Sequence, residues 1–350
     1  MRERIVSNLD QAPAMSRVLV DTDLNFASDD FQALLLLLSD ERLQISGLSC
    51  AAGNTFAEEV LVNILAVAGL CGLQAVPIAA GIGHEYFQPR RVDAQQRLAD
   101  GRTNFIGSHG KASRPRLVPR DHQLSGNVHS NLSEILLQDA AITTIVCLAP
   151  LTNLATALDS LSEDRRRSLT LWIMGGNIEL NSADPKIDFN FWYDPVAASS
   201  IMQSGCNALL FPYETCRKLR SDPELASNVQ SPRQRLSRVF SEDFGRLIRQ
   251  HGPTMPLCDH LVALALMDND IMVDAKPATV DVVQSGSYAG GCVTSWNSRS
   301  SINIVTDIDA KRAATALLSK LDGLEGRATG DVSHFLESLP YTLDAVQGGF

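Results

Sequence analysis

Short apolar runs rich in β-branched residues alternate with helical patterns along most of the chain. Continuous apolar runs of this kind are typical of strands that are buried on both faces of a sheet. The predicted strands are Arg17–Val20, Leu43–Ser49, Ala75–Ala79, Thr143–Leu148, Thr170–Met174 and Ala208–Phe211. The predicted helices between them are Asp29–Ser39, Ala57–Leu70, Asn127–Leu137, Leu151–Leu161 and Pro195–Gln203. This order predicts an α/β fold in one domain, with a mostly parallel central sheet sandwiched by helices.

Two stretches interrupt the alternation. Residues 83–125 are rich in Arg, Gly, Pro and Gln, and are interpreted either as a long insertion near the site or as a plain surface insertion. Glu214–Pro232 is predicted to be irregular before a helix over Arg233–Gln250. The closing elements are predicted as two strands and a helix, at Thr279–Ser287, Ser301–Val305 and Ala310–Leu321. We therefore expect a flexible N-terminus over residues 1–15, a domain over 16–322 and a peripheral C-terminal segment over 323–350.

Composition narrows the function classes. The chain of 350 residues carries a formal net charge of −10, which argues against a nucleic acid or an anionic membrane surface as the main partner. Its seven cysteines form no CxxC pair, and most lie in apolar runs, so we expect reduced, buried thiols. No apolar stretch is long enough for a signal peptide or a membrane span, which predicts a cytoplasmic globular protein.

The densest chemical signal is a group of four aspartates within ten residues, at the end of the first predicted strand and the start of the first helix. No Lys or Arg lies between Arg17 and Arg42 to neutralise them, so a bound divalent cation is the economical explanation. Oxygen ligands without an accompanying Cys/His set favour Ca²⁺ or Mg²⁺ over zinc. The alternative is that one aspartate caps the helix and the others face water. The four residues are Asp21, Asp23, Asp29 and Asp30.

The Asp21-Thr22-Asp23 triplet also permits a phosphatase of the haloacid dehalogenase type. That family follows its second aspartate with a small residue and then Thr or Val, whereas Leu24 and Asn25 follow here. The phosphatase hypothesis also leaves the Asp29-Asp30 pair without a role. It is therefore the lower-ranked alternative.

The strand-end aspartates resemble the signature of the inosine–uridine-preferring nucleoside hydrolases. Their spacing matches the longer form of that signature, D-x-D-I-G-x-D-x-D-D, although Ala27 replaces its intermediate Asp and Asn25 its Gly. Further stretches resemble the family's motifs in the family's order. They are Ala52-Gly53-Asn54, Leu148–Ala155, Met174-Gly175-Gly176, Asp188-Phe189-Asn190, Asp194–Ala198 and Pro256–Asp259.

The resemblance implies a tightly held Ca²⁺ that binds the attacking water and the ribose. Matching positions imply that Asp23, Asp30, the main-chain carbonyl of Leu148 and Asp259 are its protein ligands. Asp23 is then the expected general base, taking a proton from a water whose pKa the cation has lowered. Asp21 is expected to orient the cluster from behind.

The resemblance also implies a ribose site. Asp29 and Asn54 match residues that hold the 2′- and 3′-hydroxyls, and Asn190 matches a further ribose contact. The expected substrate site also includes Met174, and Asp188 replaces the family's Glu with a side chain one methylene shorter. The family's ribose-binding Asn falls on Ser182, with Asn181 adjacent, so either residue is a candidate.

The side of the site that would hold the base departs from the family. Cys258 stands where many members have the His that is implicated in leaving-group protonation, and a thiol is a poor substitute for that acid. A buried thiol at a helix start is the simpler interpretation. His84 and Tyr86 follow the third strand and are candidates for stacking or protonation, or else ordinary loop residues. His260 is expected behind the site or at the surface.

The resemblance therefore implies a Ca²⁺-dependent hydrolase of the N-glycosidic bond of a ribonucleoside, whose base is expected to be unusual or modified. A non-catalytic ribosyl-ligand binding protein on the same fold is the main alternative, because positions 182, 188 and 258 are altered. The family is commonly homo-oligomeric, so a homo-oligomer is expected, with a small-molecule partner and neither nucleic acid nor membrane.

Overall fold

The computed structural model describes residues 16–82, 127–180, 187–231, 235–324 and 330–338. Ten strands form one sheet within these ranges, in the order β4-β3-β2-β1-β5-β6-β7-β10-β8-β9. The strands are β1 (Ser16–Thr22), β2 (Leu43–Cys50), β3 (Ile78–Ala79), β4 (Val128–His129), β5 (Thr144–Cys147), β6 (Thr170–Met174), β7 (Asn207–Phe211), β8 (Met272–Val282), β9 (Cys292–Trp296) and β10 (Ile302–Ile308). All neighbouring pairs are parallel except β8 with β10 and β8 with β9. The mostly parallel α/β fold predicted from the pattern is confirmed.

Helices cover both faces of this sheet. The first six described helices are α1 (Asp29–Leu38), α2 (Ala57–Cys71), α3 (Leu132–Gln138), α4 (Thr152–Asp159), α5 (Glu163–Arg167) and α6 (Phe189–Tyr193). The next seven are α7 (Pro195–Met202), α8 (Tyr213–Cys216), α9 (Pro223–Val229), α10 (Arg235–His251), α11 (Cys258–Met267), α12 (Ala310–Gly323) and α13 (Val332–Ser338). None of the helices in these described ranges is long and apolar enough to cross a membrane.

The core consists of two apolar layers, one on each face of the sheet. Strand β1 contributes to both, because Val18 and Val20 pack into one layer and Leu19 into the other. The first layer is completed by helices α1, α2, α10, α11 and α12, and the second by α3, α4 and α7. Burial on both faces explains why the central strands read as continuous apolar runs.

Several predicted boundaries were wrong. The helix predicted over Asn127–Leu137 begins with strand β4, and only its second half is helical. The stretch Glu214–Pro232, predicted to be irregular, contains helix α9 and most of α8. The strand predicted over Thr279–Ser287 instead runs from Met272 to Val282. Strand β9 and helix α6 had no counterpart in the prediction.

Helix α13, which lies beyond residue 323, packs against the rest of the domain. Phe335 is buried, and its ring centroid lies 5.7 Å from that of Phe26 and 6.3 Å from that of Phe31. Phe26 belongs to the loop between β1 and α1, which carries the aspartates described below. Helix α13 therefore covers the part of that loop that contains Phe26.

Candidate active site

The candidate site is a pocket at the carboxyl ends of the central strands. Strands β2, β1, β5, β6 and β7 are adjacent, and the chain turns from one side of β1 to the other between β4 and β5. Ligands of open α/β sheets bind at such a switch point. The pocket is a cleft of about 520 Å³, a volume that includes open solvent at its mouth. Its lining residues are Asp23, Asp29, Asp30, Asn54, Leu148, Met174, Ile187, Asp188, Phe189, Asn190, Tyr213, Cys258 and Asp259.

Asp23 follows strand β1 directly and is held by the loop after strand β2. Its Oδ2 accepts a hydrogen bond from the backbone N–H of Asn54. Its Oδ1 is buried and has no hydrogen-bond partner among the described residues. A buried carboxylate oxygen without a partner is costly, so this atom is suited to a ligand, a cation or a water.

Asp30 lies in the first turn of α1 and is anchored on both oxygens. Thr22 Oγ1 donates to Oδ1 at 2.7 Å, and Asn54 Nδ2 donates to Oδ2 at 2.9 Å. Asn54 thus joins Asp23 to Asp30, and it also lines the pocket. Each carboxylate oxygen of Asp30 keeps a lone pair for a cation.

Three carboxylates from two helices meet at the floor of the pocket. One oxygen from each of Asp29, Asp30 and Asp259 lies within 4.8 Å of the other two. Asp29 and Asp30 begin α1, and Asp259 lies in the first turn of α11. A set made only of carboxylate and carbonyl oxygens suits a hard cation such as Ca²⁺, which takes six to eight oxygen ligands. The residues present therefore fit the expected ion.

Burial makes this group of carboxyls difficult to ionise together. Burial, reinforced by the neighbouring Asp30, raises the pKa of Asp23 well above its usual value and that of Asp29 to about 7. Burial, followed by Asp29 and Asp30, raises the pKa of Asp259 as well. A cation at the centre of the group would reverse these shifts by favouring the ionised forms. The electrostatics therefore agree with the donor chemistry.

Leu148 lines the pocket and lies just after β5. Asn190 Nδ2 donates to the carbonyl oxygen of Leu148 at 2.8 Å and to that of Met174 at 3.2 Å. Since a carbonyl oxygen has two lone pairs, Leu148 can still reach a cation. Asn190 thus ties the ends of β5 and β6 together and leaves its side-chain oxygen for a ligand.

Asp188 lines the pocket but has a structural task. Its Oδ1 accepts hydrogen bonds from the backbone N–H groups of Gly176, at 3.1 Å, and Phe191, at 3.0 Å, and it caps helix α6. Burial raises the pKa of Asp188 to about 7 despite these donors. One of the two oxygens of this shorter side chain is therefore already hydrogen-bonded to the protein's own backbone.

The remaining wall is aromatic and sulfur-containing. Phe189 and Tyr213 line it together with Cys258, whose thiol is near that of Cys216. The neighbouring Cys216 thiol, followed by burial, raises the pKa of Cys258 well above its usual value. Burial also raises the pKa of the half-buried Tyr213. Aromatic rings offer a stacking surface for the flat face of a planar group such as a nucleobase.

Asp21 lies behind the pocket, at the end of β1. Asn153 Nδ2 lies 3.5 Å from its Oδ1 and donates to Ser49 Oγ at 3.0 Å. Burial raises the pKa of Asp21 to about 7. Asp21 does not line the pocket, whereas Asp23, two residues later, does.

Four expected site residues lie outside the described residues, namely His84, Tyr86, Asn181 and Ser182. His260 was expected behind the site or at the surface, and the buried position is the one observed. His260 is fully buried in α11, and its Nε2 lies 2.8 Å from Gln32 Oε1.

Phe189, Tyr213 and Ile187 line the pocket although the sequence assigned them no role. Tyr213 comes two residues after strand β7, so the rule that ligands bind at carboxyl strand ends would have found it. Phe189 stands between two expected ribose contacts. Its aromatic ring, being apolar, gave no signal of its own.

Comparison with known proteins agrees with this geometry. Residues 18–315 match the model of the inosine-uridine preferring nucleoside hydrolase family. The pyrimidine-specific ribonucleoside hydrolase RihA of Salmonella gallinarum is 24% identical over 319 residues, covering 87% of this chain and 97% of that protein. RihA of Salmonella paratyphi B is 28% identical over 284 residues, covering 78% of this chain and 86% of that protein.

Solved structures share the fold. A plant nucleoside hydrolase, PpNRh1, superposes with a TM-score of 0.68 at 20% identity, covering 88% of this chain and 99% of that one. A purine-preferring ribonucleoside hydrolase from Gardnerella vaginalis superposes with a TM-score of 0.69 at 16% identity, covering 89% of this chain and 99% of that one. The family match spans both the aspartates after β1 and the pocket wall, and leaves the phosphatase alternative without support. The chain belongs to the inosine-uridine preferring nucleoside hydrolase family.

Proposed function

We propose that this chain hydrolyses the N-glycosidic bond of a ribonucleoside in a Ca²⁺-dependent reaction, with Asp23 as the general base. The observation that carries the proposal is the buried, unpartnered Oδ1 of Asp23 in the same pocket as the carboxylates of Asp29, Asp30 and Asp259. Phe189 and Tyr213 line the same pocket, and their rings suit a base. Family membership supports N-ribosyl hydrolysis as the reaction class.

Asp23, Asp30, Asp259 and the carbonyl of Leu148 would hold the cation. Bound Ca²⁺ would supply a positive charge that lowers the pKa of the attacking water and orients the ribose diol. Asp23 then receives the proton of that water at Oδ1, the carboxylate oxygen that no described residue occupies. Its Oδ2 stays fixed by the Asn54 N–H, so the base keeps one orientation.

The ribose contacts follow from the free atoms at the pocket floor. Asp29 is partly exposed to the pocket, and Asn54 and Asn190 each have a side-chain oxygen beside an amide nitrogen that is already hydrogen-bonded. These groups accept hydrogen bonds from sugar hydroxyls. The surrounding carboxylates also stabilise the positive charge that develops on the ribosyl ring in the transition state.

Departure of the base receives little acid assistance from the wall that Cys258, Tyr213 and Phe189 form. The raised pKa values of Cys258 and Tyr213 make both groups weak acids, and therefore weak proton donors at neutral pH. Phe189 and Tyr213 instead offer ring surfaces to the base. This arrangement favours a base that leaves readily, and we include an unusual or modified base in the proposal.

Release of free base from a panel of ribonucleosides tests the proposal. The panel includes pyrimidine and purine nucleosides, because relatives named for each kind are similar to this chain. A nucleoside 5′-monophosphate is assayed in parallel for phosphate. We expect equimolar base and ribose from at least one nucleoside, loss of both products on chelation, and no phosphate.

Other outcomes would contradict the proposal. Tight Ca²⁺ and ribonucleoside binding without release of base would make the chain a ribosyl-ligand binding protein. The hydrogen-bonded Asp188 and the thiol at position 258 are the features that would favour that function. Phosphate release without base release would instead indicate a phosphatase.

A further inference from the structure

A buried polar chain runs behind the carboxylate cluster, starting at Asp243 of helix α10. The Asp243 side chain is fully buried. Its Oδ1 accepts a hydrogen bond from the backbone N–H of Ala27 at 2.7 Å, and its Oδ2 accepts one from Gln32 Nε2 at 2.7 Å. Ala27 has a φ of 55°, so the loop before α1 is held in a left-handed turn at this contact. Asp243 thus fixes both the loop and the helix that follows it.

The direction of these two hydrogen bonds determines how the side chains of Gln32 and His260 are oriented. A carboxylate accepts hydrogen bonds only, so Gln32 must turn its amide nitrogen toward Asp243 and its Oε1 away from it. That Oε1 lies 2.8 Å from His260 Nε2, which must therefore donate. His260 is fixed as the Nε2–H tautomer, and its Nδ1 has no partner among the described residues.

His260 cannot turn away from this contact. It is fully buried, and the rings of Phe240 and Phe244 meet it edge-on, with centroid distances of 6.0 and 6.1 Å. Both phenylalanines belong to α10, the helix that carries Asp243. The imidazole is therefore packed against α10 and hydrogen-bonded to α1.

Two members of this hydrogen-bonded chain lie close in sequence to a carboxylate of the cluster. Gln32 lies two residues after Asp30 on α1, and His260 follows Asp259 on α11. None of Gln32, Asp243 and His260 lines the pocket. The chain therefore joins the two helices that contribute the carboxylates, and joins both to α10, without reaching the ligand.

We propose that Asp243, Gln32 and His260 are positioning residues that hold the carboxyl groups of Asp29, Asp30 and Asp259 together at the ion site before a cation arrives. Three carboxyl groups this close repel each other when they ionise, so α1 and α11 need a connection that does not depend on the cation. Partners behind metal ligands commonly serve this purpose. The inference rests on the proposed function insofar as it takes Ca²⁺ as the ion.

Two substitutions at position 260 separate positioning from packing. His260→Met fills the space between the phenylalanine rings but removes the donor to Gln32. His260→Gln keeps a nitrogen donor on a side chain of similar length. Calorimetric titration with CaCl₂ measures their Ca²⁺ affinity. We expect His260→Met to weaken affinity about 10-fold or more, as loss of such a partner usually does, and His260→Gln to retain most of it.

Ser241→Ala is the matched control on α10. Ser241 is buried and donates to the carbonyl oxygens of Val229 and Ser237, away from α1. Removal of the Ser241 hydroxyl therefore costs a hydrogen bond on the same helix but leaves the contacts among Asp243, Gln32 and His260 intact. The Ca²⁺ affinity should stay within about twofold of wild type. If His260→Met does not fold, Gln32→Met removes the same connection from α1 and should weaken affinity similarly.

Turnover adds a second readout. His260→Met should recover wild-type turnover of a nucleoside at saturating Ca²⁺, because its defect lies in assembling the ion site. Equal Ca²⁺ affinity in wild type and folded His260→Met, or a turnover defect that Ca²⁺ does not relieve, would overturn the inference. Wild-type Ca²⁺ binding without turnover would contradict the proposed function and leave the affinity comparison intact. A wild type that binds no Ca²⁺ would overturn both.

Discussion

At the scale of single residues, Gly53 determines how closely the backbone approaches Asp23. A Cβ at this position would lie 2.0 Å from Asp23 Oδ2 and 2.8 Å from Pro150 Cδ. Gly53→Ala must therefore move the loop that supplies the Asn54 N–H. We expect turnover to fall at least about 10-fold, with a weaker affinity for Ca²⁺ as well, since the base loses its fixed orientation. Steady-state kinetics and calorimetric titration measure the two effects.

Gly69→Ala provides the control for this substitution. Gly69 is an exposed residue of α2, and a Cβ there would meet nothing within 4 Å. The change should leave turnover unaltered and stabilise the helix by about 0.5–1 kcal/mol. Wild-type kinetics in Gly53→Ala would show that the orientation of Asp23 does not matter.

The sequence predicted some site residues much better than others. Four aspartates close together imply a cation on charge alone, so Asp21, Asp23, Asp29 and Asp30 could be selected without any structure. Asp259 could be assigned only through the family resemblance. Asp243 gave no signal, because its contact with Ala27 joins residues 216 positions apart and one aspartate on an amphipathic helix is ordinary.

At the scale of secondary-structure elements, Asp40 anchors the turn between α1 and β2. Arg42 donates to both of its oxygens, at 2.9 and 2.6 Å, and Lys320 of α12 donates to Oδ2 at 2.7 Å. Asp40→Asn removes the charge that these two cations share. We expect the free energy of unfolding at pH 7 to fall by about 1–2 kcal/mol, a modest value because Arg42 is largely exposed. Urea denaturation measures it.

The pH dependence of this effect has a definite sign. Burial alone would raise the pKa of Asp40, but the hydrogen bonds from Arg42 and Lys320 outweigh it and hold the pKa well below its usual value. A lowered pKa in the folded state contributes stability above the unfolded value of about 3.9, and the contribution is lost as pH falls. The difference between wild type and Asp40→Asn should therefore shrink below pH 4. A difference that grows on acidification would contradict this assignment.

The elements themselves were predictable where burial is symmetric. Strands β1, β5, β6 and β7 lie between two apolar layers and therefore appear as continuous apolar runs. Strand β9 forms an edge of the sheet, and its sequence CVTSW is short and largely exposed, so periodicity could not identify it. Helix α6 is short and aromatic, and it depends on the Asp188 cap and on packing more than on helix propensity.

At the scale of the whole molecule, the fold brings buried carboxyls together at one end of the sheet, and a cation should stabilise it. At a Ca²⁺ concentration 100 times the dissociation constant, binding adds about 2.7 kcal/mol to the free energy of unfolding. For a domain of this size we expect Tm to rise by about 5 °C. Differential scanning calorimetry with chelator and with CaCl₂ measures the shift.

Two variants complete that experiment. Asp259→Asn removes one carboxylate of the cluster and should lose most of the Ca²⁺-dependent rise in Tm. Asp281→Asn changes an exposed aspartate of β8 and should keep the full rise. A Tm that is the same with chelator and with Ca²⁺ in wild type would mean that the cluster does not bind this ion.

The most direct test of the account is the turnover of Asp23→Asn at saturating Ca²⁺ on the nucleoside that wild type hydrolyses fastest. Asparagine preserves the side-chain volume and can still accept the Asn54 N–H bond, but it cannot take a proton from water. We predict that kcat falls by about 10²–10⁴-fold while thermal unfolding stays close to that of wild type. A kcat within a few-fold of wild type would contradict the assignment of Asp23 as the general base.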